Sequence, residues 1–174
     1  TMKPENLVEI CRQVVFLERN RTPDIPIEAS FPDGAIMMSC DSRQISRALT
    51  NVLKNAAESI DDRLASGTSK MDKGWIRVTL MEETRSSAVD VFDEFRIVVE
   101  DNGRGLPEDR ERLTEPYMTT RGKGTGLGLA IVRKIMEDHQ GVVLLNNRDG
   151  GGAVVTLSLA RERDDIGAPA KSAF

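Results

Sequence analysis

The sequence reads Gly122-Lys123-Gly124-Thr125-Gly126-Leu127-Gly128 directly before an apolar run, Leu129 to Met136. Glycine has no side chain to pack and serves where the backbone must bend sharply or approach another group closely. The apolar run predicts a helix, whose first turn leaves backbone N–H groups unsatisfied and carries a partial positive charge. Such a helix start binds phosphate groups. Taken alone, the same stretch is equally typical of a flexible loop that ends in a helix.

The composition limits the class of protein. The chain has 174 residues, of which 39% are hydrophobic and 30% charged, as expected for one soluble domain with a core. A net charge of −4 argues against a nucleic-acid partner. No apolar run is long enough to span a membrane and no signal-peptide pattern opens the chain, so we expect a cytoplasmic domain. Cys11 and Cys40 are expected to be buried thiols rather than a disulfide.

Apolar periodicity predicts three helices and six strands. The helices are expected at residues 4–18, at residues 41–65 and from the glycine-rich stretch to residue 138. Asp41 is the expected N-cap of the second helix, with Gln44 completing a capping box. The buried stripes of the first two helices are expected to include Leu17 and Leu64. The strands are expected at residues 25–31, 35–40, 75–81, 95–100, 142–145 and 153–159.

The order of these elements predicts an α/β sandwich with one layer of helices and one of strands. The first two strands are expected to form a hairpin around Pro32-Asp33-Gly34, and the last two to close the sheet as a pair. Residues 82–93 are expected to be an exposed connection. Residues 102–123 show no periodicity, and such long loops are usually functional or disordered.

The middle predicted helix carries an unusual pair of polar residues. Asn51 and Asn55 are four positions apart and therefore lie on one helix face, with Glu58 close to it. Because asparagine is a poor helix former, two in register beside a buried stripe indicate a polar strip that faces a cleft. An asparagine amide oxygen suits Mg²⁺, which prefers oxygen ligands. A single asparagine here would indicate only a solvated face.

A second polar feature follows an apolar strand and reads Asp101-Asn102-Gly103-Arg104-Gly105. A carboxylate at the end of a buried strand, followed by glycines, can accept a hydrogen bond from a ligand that lies against the backbone. An exocyclic amine is the natural donor. By itself the stretch is also typical of a plain turn.

Other site types fit the sequence poorly. The stretch from Gly122 to Gly128 matches neither the P-loop pattern nor the Gly-x-Gly-x-x-Gly pattern. His139 is the single histidine, with neither a second His or Cys pattern for zinc nor a Ser-x-Gly context for a triad. We therefore expect His139 to be structural.

Together these motifs resemble the catalytic ATP-binding domain of bacterial sensor histidine kinases, in the gyrase–Hsp90–kinase–MutL superfamily. Asn51-Val-Leu-Lys-Asn55-Ala-Ala-Glu58 is similar to its N box, and Asp101 to Gly105 to its first glycine box. Gly122 to Gly128 is similar to its second glycine box, and Glu115-Pro116-Tyr117-Met118-Thr119-Thr120-Arg121 to its F box. The resemblance covers residues 2–160 and is closest to nitrogen-regulatory kinases of the NtrY type. Residues 161–174 are expected to be a disordered tail.

The resemblance implies a Bergerat fold, with a mixed, mostly antiparallel sheet on three helices and an ATP lid at residues 106–123. It implies that Asn55 coordinates Mg²⁺ between the phosphates of ATP, with Asn51 beside it. Asp101 would accept from the adenine amine and Gly105 would let the base approach. Asn51, Asn55 and Arg121 are the implied catalytic residues. The implied ATP-binding residues are Asn51, Asn55, Glu58, Asp101, Gly103, Gly105, Tyr117, Thr119, Thr120, Arg121, Gly122, Lys123, Gly124, Thr125, Gly126, Leu127 and Gly128.

Three departures from the family pattern refine this expectation. Thr114 and Tyr117 stand where the F box usually carries phenylalanines, which affects how the lid docks. Asn51 stands where the ATP-hydrolysing branches place a glutamate base, so a kinase fits better than an ATPase. The family's phosphoacceptor histidine, which lies on upstream dimerisation helices, has no counterpart here.

The expected partners are therefore a separate phosphoacceptor-histidine dimerisation domain and a downstream response regulator, within a parent kinase that is either soluble or membrane-anchored. Two alternatives stay open at this point. One is a serine kinase of the anti-sigma branch, which phosphorylates a partner protein. The other is an interaction module in which ATP only orders the lid.

Overall fold

The computed structural model describes residues 1–67, 73–107 and 128–162. In these ranges the chain forms seven strands and three helices. Their bounds are β1 (Lys3–Asn6), α1 (Leu7–Arg21), β2 (Ile27–Ser30), β3 (Met37–Cys40), α2 (Ser42–Ser66), β4 (Ile76–Ser86), β5 (Val91–Asp101), α3 (Gly128–Asp138), β6 (Val142–Asn147) and β7 (Ala153–Glu162). No helix in the part described is both long and apolar enough to cross a membrane.

The main sheet has five strands in the order β2-β4-β5-β7-β6. The β2–β4 pair is parallel, and the other three pairs are antiparallel. A separate two-stranded antiparallel sheet joins β1 to β3. The predicted mixed, mostly antiparallel sheet is therefore confirmed.

The helices cover the face of the sheet where alternate side chains are buried. In β5 these are Phe95, Ile97 and Val99, which are at most 1% exposed. Helix α2 contacts β4 and β5, whereas α3 contacts β6 and β7 and α1 contacts β2. The result is the predicted two-layer α/β sandwich, with its apolar core between the layers.

Helix α2 follows from its sequence almost as predicted. Oδ1 of Asp41 accepts hydrogen bonds from the backbone N–H groups of Arg43 and Gln44, which caps the first turn. The N–H of Asp41 itself donates to Nε2 of His139 and not to a side chain of the predicted capping box. Gly67 ends the helix in the left-handed conformation at φ 62°. Leu64 was wrongly placed in the buried stripe, because it is 52% exposed.

Helix α1 begins three residues later than predicted. Asn6 caps it, since its Oδ1 accepts from the N–H groups of Val8 and Ile36, and the residues before it form β1. The helix runs past the predicted residue 18 to Arg21. Leu17 was also wrongly assigned to the core: it is 63% exposed, whereas Glu18 is buried and pairs with Arg21 at 2.6 Å.

The predicted hairpin at residues 25–40 is wrong. The two strands belong to different sheets, because β2 pairs with β4 and β3 pairs with β1. Alternating side chains correctly indicated extended chain, but alternation does not specify which strand is the partner. Residues 31–36 between the two strands belong to neither sheet.

The prediction that residues 82–93 form a connection is also wrong. Strands β4 and β5 continue as a hairpin to a short turn, where the N–H of Ser87 donates to the carbonyl of Asp90 at 2.7 Å. Charged pairs across the strands join this exposed part, including Arg85 to Glu94 at 2.9 Å and Arg96 to Glu83. Residues 82–86 are all polar or charged, so the apolar alternation that indicates a strand is missing there.

The last strand extends beyond the predicted domain end at residue 160. Arg161 and Glu162 belong to β7, and Arg161 lies 3.3 Å from the buried carboxylate of Asp93. Its guanidinium also stacks 4.7 Å from the ring centre of Phe95. The rest of the predicted tail, residues 163–174, lies outside the described residues.

Both cysteines are buried free thiols, as predicted. Burial raises the pKa of Cys11 to about 12. Burial, together with the carboxylates of Glu5 and Asp41, raises the pKa of Cys40 to about 11. Both thiols are therefore protonated and unreactive at neutral pH.

The turn between β6 and β7 lies directly against the end of β5. Gly150 and Gly152 both adopt positive φ, at 88° and 103°. A Cβ on Gly152 would lie 1.9 Å from the carbonyl oxygen of Asp101, whereas one on Gly150 would meet nothing closer than 3.7 Å. Of these two glycines, Gly152 is thus required by close backbone packing as well as by its conformation, and Gly150 by its conformation alone.

We expect Gly152→Ala to lower the free energy of unfolding by about 3 kcal/mol or more, because the methyl group would force the turn away from β5. Gly150→Ala is the matched control and should cost only about 1 kcal/mol, from its left-handed backbone alone. Urea unfolding followed by the fluorescence of the single tryptophan, Trp75, measures both. Equal losses in the two variants would contradict this packing.

Candidate functional site

The polar strip on α2 lies beside the core. Asn51, Asn55 and Glu58 are half-buried, and the adjacent residues Val52 and Ala56 are buried. The three polar side chains are therefore at the border between the helical layer and solvent. This is the position that a ligand cleft requires.

Helix α3 begins next to this strip. Gly128 is its first residue, and a Cβ added there would lie 3.6 Å from both terminal atoms of the Asn55 amide. The first residue of α3 thus lies beside the amide of Asn55, the predicted metal ligand. The structure brings the N-box asparagine and the last glycine of the second glycine box together.

The Asp101 turn is packed onto the same helix farther along. Asp101 ends β5 and is 3% exposed, and its Oδ1 accepts a hydrogen bond of 2.8 Å from the N–H of Gly103. A Cβ on Gly103 would lie 2.3 Å from Oγ and 2.6 Å from the carbonyl carbon of Ser59. Only glycine allows the turn to approach α2 this closely.

Gly105 adopts φ 86°, where an L side chain is strained. The next residue, Leu106, is held by the Asn147 amide: its N–H donates to Oδ1 at 2.8 Å, and its carbonyl accepts from Nδ2 at 3.3 Å. The end of β6 therefore fixes the chain just beyond the predicted adenine site.

Four further residues support the turn and were missed by sequence reasoning. The hydrogen bonds that hold the Asp101 turn in place come from Ser59, Arg63, Asn102 and Asn147. The carboxamide of Asn102 accepts from the N–H of Trp75 at 2.8 Å and donates to the carbonyl of Lys73 at 3.1 Å, which joins the turn to the start of β4.

A sequence signal for two of these residues exists. Positions 51, 55, 59 and 63 are each four apart, so Ser59 and Arg63 continue the row that begins with Asn51 and Asn55. The N–H of Arg104 donates to Oγ of Ser59 at 3.0 Å, and Nη1 of Arg63 donates to the carbonyl of Gly103 at 3.0 Å. Extending the polar row by two turns would have identified both.

The other predicted site residues lie outside the described part of the chain. They are Tyr117, Thr119, Thr120, Arg121, Gly122, Lys123, Gly124, Thr125, Gly126 and Leu127. The same holds for Thr114 and for most of the predicted lid, residues 108–123. Their roles stay predictions.

His139 has the contacts of a structural residue. Its Nε2 is 3.0 Å from the N–H of Asp41, and its Nδ1 is 2.8 Å from the carbonyl of Ile135. A backbone N–H only donates and a carbonyl only accepts, so Nε2 carries no proton and Nδ1 does. The ring thereby joins the end of α3 to the start of α2, which agrees with the sequence interpretation.

Comparison with known proteins gives the family. Residues 40–163 match the family described as histidine kinase-, DNA gyrase B-, and HSP90-like ATPase. The chain is 46% identical over 160 residues to the nitrogen regulation protein NtrY of Azorhizobium caulinodans. This match covers 91% of the chain but only 19% of that relative, so the chain spans about a fifth of the protein to which it is similar.

Solved structures agree with this assignment. The catalytic domain of the histidine kinase ThkA, in a nucleotide-free form, superposes with a TM-score of 0.68 at 29% identity and covers 92% of this chain and 97% of its own. A mycobacterial sensor histidine kinase, MprB, shares the fold with a TM-score of 0.71 at 24% identity, covering 93% and 99% of the two chains. The chain thus belongs to the family of histidine kinase-, DNA gyrase B- and HSP90-like ATPases, as a catalytic ATP-binding domain of the sensor histidine kinase type.

Proposed function

We propose that this domain binds ATP with Mg²⁺ and donates the γ-phosphoryl group to a histidine on a separate phosphoacceptor domain. The observation that carries the proposal is the arrangement along α2. Asn55 lies beside the start of α3, and Oγ of Ser59, one turn farther on, accepts a hydrogen bond from the Asp101 turn. One rigid helix thereby joins a phosphate-binding end to a base-binding end.

At the base-binding end, Asp101 supplies the acceptor. Its carboxylate is buried at the end of β5, so a hydrogen bond to it is shielded from water. The amine of adenine donates, whereas the carbonyl oxygen of guanine at the corresponding ring position would face the same negative charge. Because Gly105 has no side chain, the base can lie directly against its backbone.

At the phosphate end, the first turn of α3 offers N–H groups and a partial positive charge. Asn55 provides an uncharged amide oxygen of the type that Mg²⁺ accepts, half-buried and next to that helix start. These residues fit the ion, with Asn55 as its ligand and Asn51 one turn away. When bound, Mg²⁺ neutralises charge on the phosphates.

The reaction that fits best is transfer to an imidazole. A ring nitrogen of the acceptor histidine attacks the γ-phosphorus, an N–P bond forms, the bond to the β–γ bridging oxygen breaks, and ADP leaves. The attacking nitrogen is the unprotonated one of a neutral imidazole, and the other ring nitrogen releases its proton to solvent once the N–P bond has formed. Because Asn51 cannot act as a general base, water is not activated at this position, which favours transfer over hydrolysis. Positioning and electrostatics supply the catalysis, with Arg121 as a further proposed contributor.

The similarity to NtrY supports the rest of the proposal. We assign the domain to a two-component signalling pathway of the nitrogen-regulation kind, in which the phosphorylated histidine then serves a response regulator. The acceptor histidine lies in a dimerisation domain of the same kinase.

We expect Asp101→Asn to weaken ATP and ADP binding at least about tenfold, because the new amide NH₂ would face the adenine amine. Calorimetric titration with ATP, ADP and GTP measures the change. Glu100→Gln is the matched control, since that neighbouring carboxylate lies on the other face of β5, 3.9 Å from Arg77. Unchanged ADP affinity in Asp101→Asn would refute the adenine assignment.

We expect Asn55→Ala to reduce phosphoryl transfer to an added acceptor domain at least about 100-fold, since it removes the proposed metal ligand. Nucleotide binding without Mg²⁺ should change far less. Lys54→Ala, an exposed neighbour on α2, is the control and should transfer normally. Normal transfer by Asn55→Ala, measured with γ-labelled ATP, would remove Asn55 from the metal site.

The isolated chain should bind ATP with Mg²⁺ without becoming labelled itself, because His139 is held between α2 and α3 by both ring nitrogens. Incubation with γ-labelled ATP, with and without a phosphoacceptor-histidine domain, tests this. Label should appear on the added domain only. Stable label on the isolated chain would show a different acceptor.

A further inference from the structure

Arg63 makes a contact that the proposed reaction does not use directly. It lies on α2 one turn beyond Ser59 and is half-buried. Its Nη1 donates to the carbonyl oxygen of Asn102 at 3.1 Å and to that of Gly103 at 3.0 Å. One guanidinium nitrogen therefore joins two consecutive peptide groups of the Asp101 turn.

Each of these peptide groups is held from its other side as well. The carbonyl of Asn102 and the N–H of Gly103 belong to one planar unit, and that N–H donates to Oδ1 of Asp101. The next unit joins the carbonyl of Gly103 to the N–H of Arg104, which donates to Oγ of Ser59. Arg63 thus fixes the plane whose N–H orients the Asp101 carboxylate.

The charge of Arg63 strengthens this chain of hydrogen bonds. A hydrogen bond from a guanidinium to a carbonyl polarises the peptide group and makes its N–H a better donor. The N–H of Gly103 is the donor that holds Oδ1 of Asp101, which is buried. The effect of the arginine is therefore passed to the carboxylate through a single peptide.

The surroundings of Arg63 keep its guanidinium in place. A Cβ on Gly151 would lie 2.8 Å from Nη1, so the backbone of the β6–β7 turn lies directly beside the guanidinium. The side chain is therefore enclosed between α2, the Asp101 turn and the β6–β7 turn. Such enclosure suits a positioning role better than that of a mobile surface charge.

We propose that Arg63 is a positioning residue for adenine recognition, acting through the Asn102–Gly103 peptide on the carboxylate of Asp101. This inference rests on the proposed function of the same site. Arg63 would then contribute to nucleotide affinity although it lies outside the four motifs of the family. It is on α2, the helix that also carries Asn55.

The test is ADP binding to Arg63→Met, which keeps the aliphatic volume of the side chain and removes its donors. Binding should weaken about tenfold, as expected for loss of a charged hydrogen-bond donor. Arg63→Lys, which can still donate to carbonyls, should bind only about threefold more weakly than the wild type. Arg43→Met, an exposed arginine near the other end of α2, is the matched control and should bind normally.

A double-mutant cycle with Asp101→Asn separates positioning from general stabilisation. If Arg63 acts through Asp101, the loss in Arg63→Met should largely disappear in the Asp101→Asn background. With an acceptor domain present, the KM for ATP should rise while kcat stays unchanged. Wild-type affinity in Arg63→Met, or the same loss in both backgrounds, would overturn the inference.

If Arg63→Met does not fold, Arg63→Lys serves in the same cycle: a loss that vanishes with Asp101→Asn supports positioning, and a persistent loss or none overturns it. If Asp101→Asn itself binds ADP normally, the proposed adenine site fails, whatever Arg63 does. Failure of this inference and failure of the proposed function are thereby distinguished.

Discussion

The site depends on the contact between Gly103 and α2. Backbone approaches backbone so closely there that a Cβ would lie 2.6 Å from the carbonyl carbon of Ser59. This contact sets the position of Asp101 at the end of β5 relative to the face of α2 that carries Asn55. Ser59 is the residue of α2 at this point, and both its backbone and its hydroxyl contact the turn that follows β5.

A single helix therefore sets the dimensions of the site. Asn55 and Arg63 are eight residues apart, which corresponds to about 12 Å along an α-helix. The phosphate end and the base end of the proposed site are thus held by one rigid element. The helix itself is capped at both ends, by Asp41 and by Gly67, and its apolar stripe is buried under the sheet. The same helix therefore contributes buried residues to the core and polar residues to the proposed site.

Sequence reasoning succeeded where local chemistry decides the structure. The N-cap at Asp41 and the apolar stripe of α2 located that helix, and the glycine turns located the pair β6–β7. It failed where a distant partner decides. Nothing local to Ile27 specifies parallel pairing with Ile76, and residues 82–86 of the β4–β5 hairpin include no apolar side chain. Within the candidate site, the motifs predicted Asn55 and Asp101, whereas finding Arg63, which donates to backbone carbonyl groups of the turn, required extending the polar row of α2 by two turns.

The most direct test of this account is a crystal structure of the domain with Mg²⁺ and a non-hydrolysable ATP analogue. The account predicts the adenine amine about 3 Å from the carboxylate of Asp101. It predicts the amide oxygen of Asn55 about 2.1 Å from Mg²⁺, with the phosphates at the start of α3. A nucleotide bound with its base away from Asp101, or a metal ion held without Asn55, would contradict the central claim that α2 joins the two ends of one ATP site.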